Sequence, residues 1–221
     1  MSERAEDNIK AVLFDHDDTL VGTIEAKWAH HKHVARTWYG KELRDDEIRE
    51  HWGKPFSQLV GLLYGDGNPE EAMARNLSCE DDFPKLLLPD TIPTLQRLHT
   101  AGKIVGIITA TSRYSFEHDL ELHGFPRELI DYTQTEDDTL FHKPDPRVFE
   151  PAIAWLAERD IEPSQVLYVA DGLHDMAAAI GAGFNFAGVT TGLVTADQFS
   201  DAGAFALGSL AELLPDYGVK A

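Results

Sequence analysis

Residues 11–20 read AVLFDHDDTL, a short apolar run that ends in alternating aspartates. Four consecutive apolar residues followed by polar ones are typical of a buried parallel strand that stops at the edge of a sheet. In a regular strand Asp15 and Asp17, which are two residues apart, would point to the same face, and a turn just after the strand would leave both carboxylates at the sheet edge. Asp18 and Thr19 favour such a turn. The stretch therefore predicts two carboxylates at one edge of a sheet.

Short β-rich runs alternate with amphipathic segments along much of the chain. This alternation predicts an α/β fold, in which a doubly wound, Rossmann-like parallel sheet is covered by helices through right-handed crossovers. The candidate strands are residues 11–14, 104–108, 166–170 and 186–190, and the candidate helices are residues 91–100, 146–159 and 173–182.

Residues 22–88 interrupt this alternation. Apolar side chains such as Trp28 and Trp38 fall at helical spacings, no segment reads as a strand, and glycine-containing turns divide the segment into several helices. We predict two domains. Residues 1–21 and 89–221 form the α/β core, and residues 22–88 form an inserted α-helical cap domain.

The composition is strongly acidic. The 221 residues include 38 Asp and Glu against 19 Lys and Arg, which gives a formal net charge of −19. Nucleic acids and anionic membranes both attract basic surfaces, so we expect neither as a partner. Cys79 is the single cysteine, and no signal-like or membrane-spanning stretch is visible. We expect a soluble cytoplasmic protein that is a monomer or a homodimer.

Polar residues follow the other predicted strands as well. Thr109 follows the second strand, Asp171 and Asp175 follow the third, and Lys143 stands in a proline-rich turn that would hold its ammonium group in place. Open α/β sheets bind ligands at the carboxyl ends of their strands. These groups suit phosphoryl transfer, because Mg²⁺ prefers oxygen ligands, lysine pairs with phosphate oxygens and a carboxylate can attack phosphorus.

Four motifs, in this order, resemble those of the haloacid dehalogenase superfamily. The resemblance is to the branch that contains phosphoglycolate phosphatases and β-phosphoglucomutases, whose helical cap lies between the first and second motifs, and it covers nearly the whole chain. The matching residues are Asp15 to Leu20 for the first motif, Thr109 for the second, Lys143 to Pro146 for the third, and Asp171 to Asp175 for the fourth.

The resemblance implies a role for each residue that would meet the substrate. Asp15 would be the nucleophile, Asp17 the general acid and base, and Thr109 and Lys143 would contact the phosphate. Ala110 stands where the family often has an asparagine, which either weakens the phosphate contact there or shifts it to backbone amides.

The resemblance also implies Mg²⁺ as the cofactor. Asp15, the backbone carbonyl of Asp17 and Asp171 would bind the metal directly, and Asp175 would support them. None of the positions that depart from the family pattern removes a residue that this chemistry requires.

Three further signals leave alternatives open. Thr111 could take the place of Thr109. Lys54 would contact a substrate carboxylate or a second phosphate if its Gly-Lys-Pro turn is the cap loop that meets the substrate in capped relatives, but an ordinary turn explains it equally well. His30, His31 and His33 have no carboxylate partner in the sequence, so we interpret them as the solvated face of a cap helix rather than as a metal cluster.

The sequence therefore predicts a phosphoric monoester hydrolase. Its substrate would be a small-molecule phosphate, such as phosphoglycolate or a sugar phosphate, and an aspartyl-phosphate would form on Asp15. Dehalogenation is disfavoured because dehalogenases lack the second aspartate, which is Asp17 here.

Three alternatives stay open. A β-phosphoglucomutase-like phosphotransferase would carry a cap histidine near the place of Lys27. A catalytically weak phosphate-binding or regulatory protein of the same fold would account for Ala110. A phosphorylatable receiver domain fits poorly, since receivers are shorter and have no helical cap.

Overall fold

The structure, a computed structural model, describes residues 9–52, 54, 56–65 and 68–213. The strands are β1 (Ala11–Phe14), β2 (Val21–Gly22), β3 (Leu86–Leu87), β4 (Ile104–Ile108), β5 (Tyr132–Gln134), β6 (Val166–Ala170), β7 (Asn185–Val189) and β8 (Ala206–Leu207). The α-helices are α1 (Ile24–Tyr39), α2 (Asp45–His51), α3 (Phe56–Tyr64), α4 (Pro69–Leu77), α5 (Thr91–Thr100), α6 (Arg113–Leu122), α7 (Glu150–Ala157), α8 (Leu173–Gly181) and α9 (Ala196–Asp201). Within the described ranges, no helix has both the length and the apolar character needed to cross a bilayer.

Six of the described strands form one parallel sheet in the order β5-β4-β1-β6-β7-β8. Strand β1 lies between β4 and β6, and its residue Leu13 is in register with Gly106 on one side and Tyr168 on the other. The chain extends the sheet through β4 and β5, then returns to β6 on the opposite side of β1. The carboxyl ends of β1, β4 and β6 therefore meet at the topological switch point, where open α/β sheets bind ligands.

Both faces of the sheet are covered by hydrophobic cores. Val12 and Phe14 belong to the cluster on one face, whereas Ala11 and Leu13 belong to the cluster on the other. This explains why β1 is a continuous apolar run instead of an alternating one. Gly106 allows β4 to lie against β1, because a Cβ there would come within 2.6 Å of Leu13 Cδ2.

The α/β prediction is confirmed, and most predicted core elements appear where the sequence placed them. The strands predicted at residues 11–14, 104–108 and 166–170 have these bounds, and the fourth begins one residue earlier, at Asn185. The helix predicted at residues 146–159 divides into a 3₁₀ turn, Pro146–Phe149, and α7. Strands β5 and β8 are only three and two residues long, and no local pattern predicts them.

The chain divides into two compact units. One comprises Met1–Gly22 and Leu87–Ala221, and the other comprises Thr23–Leu86. The second unit contains α1 to α4, with Val34, Ile48 and Val60 fully buried among its helices. The expectation that residues 22–88 hold no strand is wrong at both ends, where Gly22 belongs to β2 and Leu86–Leu87 forms β3.

The interpretation of the histidines of α1 as a solvated face is wrong for two of the three. His30 and His31 are buried, and only His33 is exposed. His31 Nδ1 lies 2.6 Å from the hydroxyl oxygen of Tyr64, and His30 Nε2 lies 3.0 Å from the backbone oxygen of Asn76. The two imidazoles can be buried because these partners satisfy their hydrogen bonds.

Candidate active site

Three side chains of the predicted site come directly after three adjacent strands. Asp15 follows β1, Thr109 follows β4 and Asp171 follows β6. The central position of β1 brings the ends of these strands to one edge of the sheet. Asp15 is buried and Asp171 is partly buried, so charge at this edge is poorly screened by water.

The chain reverses immediately after Asp15, as the sequence led us to expect. The backbone oxygen of His16 accepts N–H groups from Leu20 at 2.9 Å and Val21 at 3.1 Å, and Asp18 has a left-handed φ of 53°. Asp17 Oδ2 accepts a hydrogen bond of 2.5 Å from the hydroxyl of Thr111, which lies just beyond β4. The turn thus directs Asp17 to the residues that follow the neighbouring strand.

Lys143 joins two of the predicted carboxylates. Its Nζ lies 2.6 Å from Asp15 Oδ1 and 2.6 Å from Asp175 Oδ1, and all three side chains are buried. The ammonium group also lies 5.2 Å from the centre of the Tyr168 ring and within 3.4 Å of the backbone oxygen of Ile108. The Tyr168 hydroxyl donates to the same oxygen at 3.0 Å, so β6 and β4 together fix the lysine.

The fourth motif places its two aspartates on either side of the start of α8. Asp175 lies in the first turn of this helix, where the helix dipole stabilises a negative charge. Its Oδ2 lies 3.2 Å from His174 Nε2. Asp171 lies against Gly192, where a Cβ would come within 1.8 Å of Asp171 Oδ2. Only glycine at position 192 leaves room for the carboxylate.

The electrostatics of this edge show an excess of negative charge. Burial raises the pKa of Asp15 to about 6, and the ammonium of Lys143 opposes that rise. The pKa of Asp171 is raised to about 9 by desolvation and then by the carboxylates of Asp15, Asp175 and Asp18. Asp15 and Asp175 hold the pKa of Lys143 well above its usual range, although burial lowers it. A single lysine does not balance this charge.

These residues fit a hard divalent cation, the kind of metal ion that the resemblance implies. Among the residues that the structure describes, no three His, Cys, Asp or Glu side chains form a ready-made metal cluster. Mg²⁺ does not require one, because it commonly takes one or two carboxylates and completes its shell with water and substrate phosphate. The oxygen donors and the uncompensated charge around Asp171 match that demand.

The remaining predicted residues differ in their surroundings. Thr109 is buried and its Oγ1 accepts the N–H of Thr111 at 3.0 Å, whereas Ala110 is exposed. Lys54 belongs to the second unit, where its exposed Nζ lies 3.0 Å from His51 Nδ1. Gly53 and Pro55, which complete the predicted turn, lie outside the described residues.

Three residues that shape this site are not predicted by the sequence motifs. The motifs offer Thr111 only as a substitute for Thr109, yet its hydroxyl holds Asp17. Tyr168 is predicted only as a strand residue, and no motif includes Gly192. The hydroxyl of Thr111 offered a signal two residues beyond the motif. The other two residues offered none, because their contacts with Lys143 and Asp171 depend on tertiary structure.

Comparison with known proteins gives a consistent result. A family model described as haloacid dehalogenase-like hydrolase matches residues 12–189. The pyrophosphatase PpaX of Bacillus velezensis is 28% identical over 215 residues, which cover 96% of this chain and 98% of that protein.

Two solved structures share the fold. One, from Bacteroides fragilis, carries the name haloacid dehalogenase-like hydrolase; it is 29% identical, with a TM-score of 0.79 over 93% of this chain and 100% of that chain. The other is a HAD family hydrolase from Deinococcus radiodurans with bound phosphate and sodium. It is 21% identical, with a TM-score of 0.76 over 94% of both chains.

Proposed function

This chain belongs to the haloacid dehalogenase-like hydrolases, and we propose that it is a Mg²⁺-dependent phosphatase of small-molecule phosphate monoesters. The proposal rests on the position of Lys143, whose Nζ lies 2.6 Å from both Asp15 Oδ1 and Asp175 Oδ1 at the switch point of the sheet. Such a lysine holds the Asp15 carboxylate ready for attack and places a positive charge where a phosphate would bind.

In the first half of the reaction, an Asp15 oxygen attacks phosphorus. A bond forms between that oxygen and phosphorus, and the bond between phosphorus and the ester oxygen breaks. Asp17 gives its proton to the departing alkoxide, which leaves as an alcohol. The Thr111 hydroxyl, 2.5 Å from Asp17 Oδ2, keeps this carboxyl group in one orientation.

In the second half, water attacks the phosphorus of the aspartyl-phosphate. Asp17, now ionised, accepts the proton of the water, and Asp15 leaves as a free carboxylate. Inorganic phosphate is released, and both residues return to their starting states. Lys143 and the hydroxyl of Thr109 would contact phosphate oxygens through both halves.

We assign the metal to Asp15, the backbone carbonyl of Asp17 and Asp171, with Asp175 in support. When bound, Mg²⁺ supplies positive charge to the transferring phosphoryl group. This assignment is supported by the oxygen donors that follow β1 and β6, and by the burial and neighbouring carboxylates that raise the pKa of Asp171 to about 9.

The first experiment measures hydrolysis of an aryl phosphate with Mg²⁺ and with excess chelator. We expect metal-dependent turnover that Asp15→Asn lowers by roughly 10⁴-fold or more, since it removes the attacking group. Asp46→Asn is the matched control, because this aspartate is exposed and pairs only with a neighbouring arginine in the described contacts. Normal turnover by a folded Asp15→Asn variant would end the proposal.

The similarity to PpaX over almost the full length of both chains favours a second candidate, hydrolysis of inorganic pyrophosphate. The same attack by Asp15 would then release phosphate, a better leaving group that depends less on protonation by Asp17. Comparison of kcat/KM for phosphoglycolate and for pyrophosphate separates the two. Asp17→Asn sharpens the test, because it should impair ester hydrolysis more than anhydride hydrolysis.

Lys54 is the residue that we propose for substrate recognition outside the core unit. If it contacts a carboxylate or second phosphate, Lys54→Ala should raise KM about tenfold and leave kcat unchanged, as loss of a charged hydrogen bond does. Unchanged KM for phosphoglycolate and pyrophosphate would identify an ordinary turn. Lys32→Ala, at a partly exposed lysine of the same unit, is the matched control.

A further inference from the structure

His16, the residue between Asp15 and Asp17, is one member of a buried polar pair. His16 is 0% exposed, and its Nε2 donates to Asp119 Oδ2 at 3.1 Å. Asp119 lies on α6 and is itself buried. The imidazole of His16 and the ring of Phe116 pack nearly perpendicular to each other, with ring centres 5.1 Å apart. His16 Nδ1 has no hydrogen-bond partner among the residues that the structure describes.

A buried polar pair at this position stabilises the fold less than apolar side chains of similar size would. Burying a hydrogen-bonded imidazole and carboxylate costs desolvation that well-packed apolar side chains would avoid, so stability alone gives little reason for it. Unlike an apolar contact, a hydrogen bond fixes the orientation of a buried side chain. The bond to Asp119 therefore holds the imidazole of His16 in one orientation.

The backbone of His16 organises the turn that carries Asp17. Its carbonyl oxygen accepts the N–H groups of Leu20 at 2.9 Å and Val21 at 3.1 Å. A backbone rotation at His16 that turned this carbonyl would shift the residues that hydrogen-bond to it and would also pull the imidazole away from Asp119, so the contact with α6 opposes such a movement. Asp17 lies inside that turn, so its carboxylate would move as well.

The same helix meets the loop at a second point. Thr111, whose hydroxyl binds Asp17 Oδ2, stands two residues before α6 begins at Arg113, and Asp119 lies about two turns further along that helix. One segment, residues 111–119, therefore holds the loop through the side chains of two consecutive residues, His16 and Asp17.

We propose that Asp119 and His16 are a positioning pair that sets the orientation of the Asp17 carboxylate relative to Asp15. The inference rests on the proposed function, in which these two aspartates must act on the same phosphoryl group. Neither His16 nor Asp119 touches the substrate in this account; both act through the loop. A displacement of about 1 Å at a reacting group costs up to about 100-fold in rate, which is the scale of effect expected.

The test compares four variants at a temperature where each is folded. Asp119→Leu removes the acceptor, Asp119→Asn keeps an oxygen acceptor, and Phe116→Leu disturbs the packing around His16 without touching the hydrogen bond. The double variant His16→Leu with Asp119→Leu replaces the pair by apolar side chains. If Asp119→Leu does not fold, Asp119→Ser takes its place.

We expect Asp119→Leu to lower kcat about tenfold or more and to change KM by less than about twofold. Asp119→Asn should recover most of the parental kcat, and Phe116→Leu should lower the melting temperature with little change in kcat. The double variant should regain stability without regaining kcat. Parental kcat in Asp119→Leu, an equal loss of kcat in Phe116→Leu, or recovery of kcat in the double variant would overturn the proposal.

A second readout does not depend on turnover. Mg²⁺ should raise the melting temperature of the parent, and this rise should shrink in Asp119→Leu but persist in Phe116→Leu. If the parent shows the rise but no phosphatase activity, the proposed function fails and this readout still decides the role of the pair. If the parent shows neither, both proposals are overturned.

Discussion

The molecule buries titratable side chains in two regions, and the two regions treat them differently. In the core unit, Asp15, Lys143 and Asp175 form a charged cluster in which carboxylates outnumber the cation. In the second unit, His31, Tyr64 and Asn76 form a chain of neutral groups, linked at 2.6 Å and 3.2 Å, and each group meets a partner.

The difference favours the charged cluster as the place where the proposed chemistry occurs. Neutral groups that satisfy one another hold a fold together and leave nothing over for a ligand. The carboxylates of the charged cluster and Asp171 lie at the switch point of the sheet, and the pKa values of Asp15 and Asp171 are raised. Their excess negative charge can be balanced by a bound cation, which in turn can bind a phosphate. Four substitutions or conditions test this contrast.

The largest expected effect comes from removing the cation of the charged cluster. Lys143→Met should lower kcat by about 10³-fold, because a positioned charge at a transferring group is commonly worth that much. The Lys32→Met variant, at a partly exposed lysine, should keep the parental kcat. If kcat of folded Lys143→Met stays within about tenfold of the parent, the charged cluster is a structural feature, and the contrast fails. Steady-state kinetics with an aryl phosphate measures this.

Breaking the neutral chain should instead cost stability. Tyr64→Phe removes the hydroxyl that is the hydrogen-bond partner of both His31 Nδ1 and Asn76 Oδ1. Each buried group that loses its partner costs about 1–3 kcal/mol of stability. We expect a loss of about 3 kcal/mol in the free energy of unfolding, measured with denaturant, and a parental kcat. Tyr114→Phe, at an exposed tyrosine, should change neither. A fall in kcat without a loss of stability would assign catalysis to the second unit.

The same network makes the protein sensitive to acid. Burial lowers the pKa of His31 to about 3, whereas the unfolded chain binds a proton near its ordinary value of 6.5. The unfolded state therefore binds more protons between these values, and stability falls as the pH drops below about 6.5.

At pH 5 the loss should reach about 2 kcal/mol relative to pH 7.5. His31→Leu should flatten this part of the profile, and His33→Leu, at the exposed histidine of the same helix, should not. An unchanged profile in His31→Leu would show that other groups set the acid sensitivity. Denaturant unfolding at several pH values provides the measurement.

The smallest effect concerns the turn after Asp15. Asp18 has a φ of 53° and Asp160 has a φ of 54°, a conformation that glycine adopts without strain. Asp18→Gly should raise the free energy of unfolding by about 1 kcal/mol, and by more than Asp160→Gly, because it also removes a carboxylate near Asp171. Equal gains in the two variants would show that crowding of carboxylates adds no measurable cost there.

Local pattern is enough to predict the frame of the fold and the charged residues of the candidate site. Asp15, Lys143 and Asp171 each follow a strand or stand in a proline-rich turn, so short-range signals place them. The strands β5 and β8 escaped prediction because two or three residues carry no readable period.

Local sequence pattern does not predict contacts between residues that are far apart in the chain. His31 and Tyr64 are 33 residues apart, so nothing near α1 distinguishes a buried histidine from a solvated one. His16 and Asp119 are 103 residues apart, so local pattern does not indicate that pair either. Where the burial or hydrogen bonding of a side chain depends on a residue far away in the sequence, only the tertiary structure reveals it.

In the proposed mechanism, Asp15 forms a covalent phosphoryl intermediate beside Lys143. Rapid acid quenching during turnover with Mg²⁺, followed by mass spectrometry of the peptide that contains Asp15, tests it most directly. We predict a phosphoryl group on Asp15 during turnover that is absent from the Asp15→Asn variant and from chelated enzyme. Full turnover with no phosphoryl group on that peptide would contradict the account.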